Sequence, residues 1–211
     1  KKPVYGGTLI VSGEAEVANP WTPAAMQCDS YCQQRARSFY DPLVVTGDDL
    51  KPHGLLVESW TSNDNQDTWT FTLRKGMKTE NKAPLTGREM TAKDIKWNLE
   101  RYRDDKQSTA VYMVETIASI DTPDDYTVKV NMKEAFVPFL TYAGNNELMM
   151  VPRELVDAGI SDKQAIGYGP FRVDTAQKGS VYKLRKNPDF FLKDDKGRAL
   201  PYLDGYDAFI I

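Results

Sequence analysis

Polar and hydrophobic residues alternate most regularly at residues 69–74, where Trp69, Phe71 and Leu73 are interleaved with Thr70, Thr72 and Arg74. A period of two predicts a half-buried strand. Lys75-Gly76 ends it in a turn, because glycine relaxes the backbone limits there. Further along, the period lengthens. Ile95, Asn98, Leu99 and Tyr102 share one face of a helix. Thr91 can cap that helix, Asp94 at the third helical position completes a capping box, and Met90 and Ile95 have the spacing of a hydrophobic staple. Past the turn Thr122-Pro123-Asp124-Asp125, the alternation returns. Tyr126, Val128, Val130 and Met132 predict a second half-buried strand.

The remaining pattern is weaker. Residues 7–12 form an apolar run that reads as a buried strand. Asn19-Pro20-Trp21-Thr22-Pro23 is extended, since a residue before proline is pushed out of the helical region. Residues 24–40 predict a helix closing at Asp41-Pro42. The polar residues 63–67 should fold the segment 59–61 back on the Trp69 strand as a hairpin. A helix is expected over 138–143 and a short strand over 148–151. Another helix is expected over 152–158, with proline at its start and Gly159 at its end. Residues 171–173 and 181–184 should pair around Gly179, and the apolar residues 209–211 read as a strand.

Composition narrows the function classes. With 211 residues, 41% of them apolar and 27% charged, the chain is of globular type with room for one large or two small domains. A net charge of −3 gives no bulk attraction to nucleic acid or to an anionic membrane. No apolar run approaches a membrane span. No enzyme assembles from the motifs. There is one histidine, His53, with no nucleophile elbow and no phosphate-binding loop. Paired acids such as Asp48-Asp49, Asp104-Asp105, Asp124-Asp125 and Asp194-Asp195 sit in polar turns and read as solvated loops. No cofactor and no metal site is expected, because Cys28, Cys32 and His53 are too few and wrongly placed for zinc. The two cysteines fit either a short disulfide loop or two half-buried thiols.

Several motifs together carry a family resemblance. Leu73-Arg74-Lys75-Gly76, then Pro84-Leu85-Thr86, then Thr91-Ala92-Lys93-Asp94-Ile95 before a tryptophan-bearing helix resemble the family 5 extracellular solute-binding proteins, the oligopeptide- and dipeptide-type receptors of bacterial ABC importers. Asn19-Pro20, Tyr40-Asp41-Pro42-Leu43, the segment 50–60, Gly167-Tyr168-Gly169-Pro170-Phe171, Arg185-Lys186-Asn187-Pro188-Asp189-Phe190 and Pro201-Tyr202-Leu203-Asp204 are similar to further family segments. The chain departs from the family pattern in two ways. Gly87-Arg88-Glu89-Met90 is inserted before the helix cap, and the usual His-Asp-Gly is absent from the preceding loop.

The resemblance implies an α/β fold of the type II periplasmic-binding-protein kind. A partial large lobe would be discontinuous, built from residues 1–46 and 168–211. Residues 47–167 would form an inserted α+β domain with its own apolar set of Trp60, Trp69, Phe71, Leu73, Ile95, Leu99, Val128 and Val130. Family members continue well beyond residue 211, so the chain is expected to be an N-terminal part that lacks the second lobe. Its start resembles that of an exported receptor after loss of its leader. The implied function is capture of a small solute by hinge closure and delivery to a membrane permease, in the periplasm or from a surface lipoprotein. The solute is most readily a peptide; an oligosaccharide, or a sensor role without transport, is the alternative.

The same resemblance points to ligand-facing residues. Trp21, Ala24 and Met26 fall on the loop that faces ligand in the family. Ala24 stands where peptide-binding relatives can carry an acid for the peptide amine, with Glu14, Glu16 and Asp29 as possible substitutes. Tyr112 resembles a tyrosine leaning into the cleft from the inserted domain. Tyr168 and Gly169 lie at the crossing between lobes, as contact or hinge. Tyr142, Asn145 and Asn146 follow a helix and can offer hydrogen bonds to a peptide backbone or a sugar.

Overall fold

The computed structural model describes residues 2–13, 24, 30–161 and 163–211. The first strand, β1 (Thr8–Gly13), is followed by helix α1 (Ser30–Ala36) and by a small antiparallel pair, β2 (Val44–Thr46) and β3 (Pro52–Gly54). Then come β4 (Val57–Ser62) and β5 (Thr68–Leu73), joined as the polar 63–67 turn predicts. Helix α2 (Ala92–Asp104) and the single turn α3 (Val111–Val114) lead into β6 (Ile117–Asp121) and β7 (Thr127–Met132). Two short helices follow, α4 (Phe139–Tyr142) and α5 (Arg153–Asp157). The hairpin β8 (Phe171–Gln177) and β9 (Val181–Lys186) precedes β10 (Gly205–Ile210).

Two four-stranded sheets organise these elements. One has the order β4-β5-β7-β6, antiparallel throughout. Its alternation is what the sequence dictates: Trp69, Phe71 and Leu73 on β5 and Val128, Val130 and Met132 on β7 are buried on one face. Helix α2 lays Ile95, Leu99 and Tyr102 into the same cluster. The Thr91 N–H donates to the Asp94 carboxylate at 2.8 Å, which is the acid half of the capping box. Met90 and Ile95 are both fully buried, as a staple requires.

The inserted tetrapeptide supports this helix start. Arg88 makes two hydrogen bonds to Asp94, at 2.8 and 2.6 Å, and pairs with Glu154 of α5. Glu89 accepts from the Tyr126 hydroxyl at 3.2 Å, and Met90 enters the core.

The other sheet has the order β1-β10-β9-β8, with β1 parallel to β10 and the rest antiparallel. It joins the two ends of the chain. Tyr182, Leu184, Tyr206 and Ala208 face a second cluster that includes Cys32, Ala36, Phe39 and Tyr40. Helix α1 is pinned there by Arg35, whose guanidinium lies 4.2 Å from the Tyr182 ring centre, and by Tyr31, whose hydroxyl donates to the Phe209 carbonyl at 2.9 Å. This second cluster also takes in Met149, Val151, Leu155, Ala165 and Ile166, while Leu43, Val44 and Tyr168 join the first.

Three expectations need correction. β1 is not a buried strand: Leu9 and Ile10 are 47% and 68% exposed, because among the described residues nothing covers the sheet faces at these two side chains. The helix expected over 24–40 ends at Ala36 in its described part. The carbonyls of Ser38 and Phe39 accept from the N–H groups of Phe171 and Gly169, at 2.9 and 3.1 Å, instead of from a continuing helix. Residues 148–151 form no strand beyond one bridge, Asp41 to Met150. Their backbone is satisfied by helix side chains. Asn98 holds both polar groups of Val151 at 3.0 Å, and the Tyr102 hydroxyl donates to the Met149 carbonyl at 2.7 Å.

Cys32 is disulfide-bonded, so it is not a free thiol. The other cysteine in the sequence, Cys28, lies outside the described residues.

Candidate functional site

Helix α1 with the turn after it, the strand β2, and α4 with the loop after it border an open cleft of about 600 Å³. Gln33, Gln34 and Arg37 form one wall. Val45 and Thr46 lie along a second, and Thr141, Asn145 and Asn146 close the third. Each wall has a local cause. Cys32 and Ala36 face the core, which turns Gln33, Gln34 and Arg37 to the other side of α1. α4 stops after one turn, and Gly144 and Asn145 donate back to the Thr141 and Tyr142 carbonyls at 3.2 and 2.9 Å. Asn145 then accepts from the Glu147 N–H at 2.9 Å, a local turn that aims its amide nitrogen elsewhere.

Among the described residues, Arg37 is the one charged side chain on these walls. Its Nη1 donates to the Asn146 Oδ1 at 3.0 Å, and its Nη2 stands 3.7 Å from Asp41. Asp41 lies behind it, 3% exposed. Burial raises the Asp41 carboxyl from the ordinary 3.8 to about 6, with Arg37 acting against the rise. Burial likewise pulls the Arg37 pKa down, opposed by Asp41.

The Tyr112 and Tyr142 rings meet edge to face at 6.0 Å, and Phe136 packs against Tyr142 at 5.6 Å. Tyr112 is 48% exposed and its hydroxyl faces Glu147 at 3.5 Å.

The residues singled out from the sequence therefore divide. Asn145 and Asn146 line the cleft, whereas Tyr112 and Tyr142 pack on each other and are not among its lining residues. Trp21 and Met26, with Glu14, Glu16 and Asp29, lie outside the described residues. Ala24 is fully buried in the first cluster, so its side chain presents no surface to a ligand. Tyr168 is 2% exposed and also belongs to that core. Gly169 approaches protein backbone, not open space: a Cβ there would stand 2.7 Å from the Phe39 Cα, and one on Gly167 would stand 1.9 Å from the Phe39 carbonyl oxygen. These glycines let residues 167–171 pair with residues 38–39. Gln33, Gln34, Arg37 and Thr141 were not singled out. Apart from the polar side of the α1 period, no local signal marks them.

Among the described residues, no three His, Cys, Asp or Glu side chains gather to hold a metal ion, and no helix is long and apolar enough to cross a membrane.

Comparison with known proteins places this geometry. The model of "Bacterial extracellular solute-binding proteins, family 5 Middle" matches residues 51–210. The glutathione-binding protein GsiB of Salmonella choleraesuis is 27% identical over 179 residues, 83% of this chain and 33% of that protein. The probable D,D-dipeptide-binding periplasmic protein DdpA of Escherichia coli is 32% identical over 144 residues, 65% of this chain and 27% of that one. Among solved structures, the periplasmic binding protein DppA of Helicobacter pylori, in complex with the peptide STSA, superposes with a TM-score of 0.85 at 25% identity. That superposition covers 99% of this chain and 43% of the other. The chain thus spans about a third or less of the length of these curated relatives. Its fold is the α/β type II fold of periplasmic binding proteins, and with three quarters of its length matched, the chain belongs to the family 5 bacterial extracellular solute-binding proteins.

Proposed function

We propose that this protein is an extracytoplasmic receptor that captures a small peptide and hands it to an ABC import permease, and that it performs no chemistry on what it binds. The observation that carries this reading is the amide-lined cleft between α1 and the loop after α4, in a fold shared with a peptide complex of TM-score 0.85. Amide and hydroxyl groups on Gln33, Gln34, Thr141, Asn145 and Asn146 match the donors and acceptors of a peptide backbone.

The cleft is open on one side, and a second lobe would close over it. Closure makes contacts that the open form lacks, so bound solute shifts the balance toward the closed state. The closed state is then the form a permease reads. The two parts of the chain, residues 1–46 with 168–211 and residues 47–167, would be the partial large lobe and the inserted domain. The receptor would work in the periplasm or anchored at the cell surface as a lipoprotein.

The experiment is native mass spectrometry of the full-length protein purified without denaturation. A retained mass that fragments as a short peptide is the expected result. A retained sugar would replace the peptide reading by the oligosaccharide one. A protein that arrives empty and takes up nothing from a peptide pool would overturn both.

A further inference from the structure

We propose that Asp41 is a proton-driven switch behind the cleft: holding its proton it leaves Arg37 on Asn146, and losing it draws Arg37 away and frees Asn146 to accept from the solute. The switch belongs to the fold, and its effect on capture rests on the receptor reading above.

The contacts of two side chains carry this. The Asp41 carboxyl is 3% exposed and poorly satisfied. Its Oδ2 is buried without a hydrogen-bond partner, and its Oδ1 has the Arg37 Nη2 at 3.7 Å, beyond hydrogen-bond reach. An ionised carboxylate so placed is an uncompensated buried charge, so this arrangement suits the neutral acid. Arg37, meanwhile, is committed elsewhere. Its Nη1 donates to the Asn146 Oδ1 at 3.0 Å, which ties the end of α1 to the loop after α4. When Asp41 loses its proton, the two acceptors compete for one guanidinium. The anion is the stronger acceptor, and Arg37 reaches it by a shift of about 1 Å, to the roughly 2.8 Å of a charge-assisted bond. The Arg37 Nε, buried without a partner, has no bond to lose in that move.

Asn146 lines the cleft, so the move is felt there. With Arg37 turned to Asp41, the Asn146 Oδ1 is open to a solute N–H. A solute that uses it favours the ionised form of Asp41 and releases a proton on binding. Among the described residues, Arg37 is the charge that acts on Asp41. Tyr40 beside it and Tyr102 of α2 are kept neutral by burial, and Arg101 acts on those two tyrosines. Glu147 faces the Tyr112 hydroxyl at 3.5 Å, and residues 148–151, which bridge to Asp41 through Met150, carry no titratable side chain. Burial, opposed by Arg37, brings the release of the Asp41 proton to about pH 6.

The test has a half without solute and a half with it. In the full-length protein, the Asn146 side-chain amide, assigned by its absence in Asn146→Ala, is followed by NMR across the Asp41 titration. Its signal should shift with a midpoint at about pH 6, and Asp41→Asn, which cannot ionise, should abolish the shift. A flat Asn146 signal, or one that titrates unchanged in Asp41→Asn, would overturn the switch whatever the solute. For capture, a pool of random tripeptides without Asp, Glu, His or Cys, so that no side chain titrates in the range, is offered at pH 5 and at pH 7. Retained peptide is counted by mass spectrometry. The native protein should retain at least threefold more at pH 7. Asp41→Asn and Asn146→Ala, each shown to be folded by thermal melting, should retain equal amounts at the two pH values. Equal retention by the native protein, or an undiminished ratio in both variants, would overturn the coupling to capture while leaving the peptide reading intact. Retention at neither pH would overturn the peptide reading, and the coupling with it.

Discussion

The two four-stranded sheets teach by their difference. In the β4-β5-β7-β6 sheet, the inner strands β5 and β7 are paired on both sides, and helix α2 covers their apolar face. In the β1-β10-β9-β8 sheet, β1 has a partner on one side only among the described residues, and Leu9 and Ile10 are exposed. Both sheets are built from similar apolar runs. What separates them is how far apart in sequence their paired strands lie. Helix α2 follows β5 after a loop, with its own cap and staple, so the first sheet is completed locally. The second depends on bringing residues 8–13 against residues 205–210, a closure across almost the whole chain.

This contrast can be broken by mutation. The largest effect is expected in the covered sheet. Phe71→Ala removes a fully buried ring from the centre of the first cluster and should cost about 3–5 kcal/mol in denaturant unfolding. A cost under about 1 kcal/mol would mean that this sheet is not the stability centre.

A buried charge between the sheets should show in pH. The Asp41 carboxyl, raised from 3.8 to about 6, is more easily protonated folded than unfolded. Its contribution is therefore most favourable below pH 4 and is lost as pH rises through 6, by about 3 kcal/mol at most. Comparing unfolding of the native protein with Asp41→Asn across pH 4–7 isolates it. The difference should shift in favour of the variant as pH rises, and a flat difference would refute the buried-charge reading.

The inserted tetrapeptide sharpens the contrast at a smaller scale. Arg88→Met removes two bonds from Asp94 and the pair with Glu154. Arg88 is about a third exposed, so solvent screens part of the loss, and the expected cost is about 1–2 kcal/mol. Urea unfolding measures it directly. The smallest effect belongs to the open edge. Ile10→Ser should change stability by less than about 0.5 kcal/mol, because the residue is already mostly in water. A loss near that of Phe71→Ala would show that β1 is covered after all.

What could be read from the sequence follows the same division. β5, β7 and α2 were legible because their burial is set by neighbours within a few residues, and Thr91 with Asp94 writes the helix start into the chain. The 148–151 segment was misread as a strand because its hydrogen bonds go to Asn98 and Tyr102 about fifty residues away. β1 was misread as buried because an apolar run does not say which of its faces finds a partner. Tyr168 and Gly169 carry family-like residues, yet Tyr168 is buried in the first cluster and Gly169 lies against Ser38 and Phe39. Asn145 was legible as a polar residue after a short helix. Arg37 was not, since its meaning comes from Asn146, which lies more than a hundred residues ahead of it.

Hydrogen exchange of the full-length protein, with and without a bound tripeptide pool, tests the central claim most directly. Slower exchange confined to residues 30–37 and 141–146 is the result expected if solute sits between α1 and the loop after α4. Solute bound with no slowing at either segment would contradict that assignment and move the binding site elsewhere in the molecule.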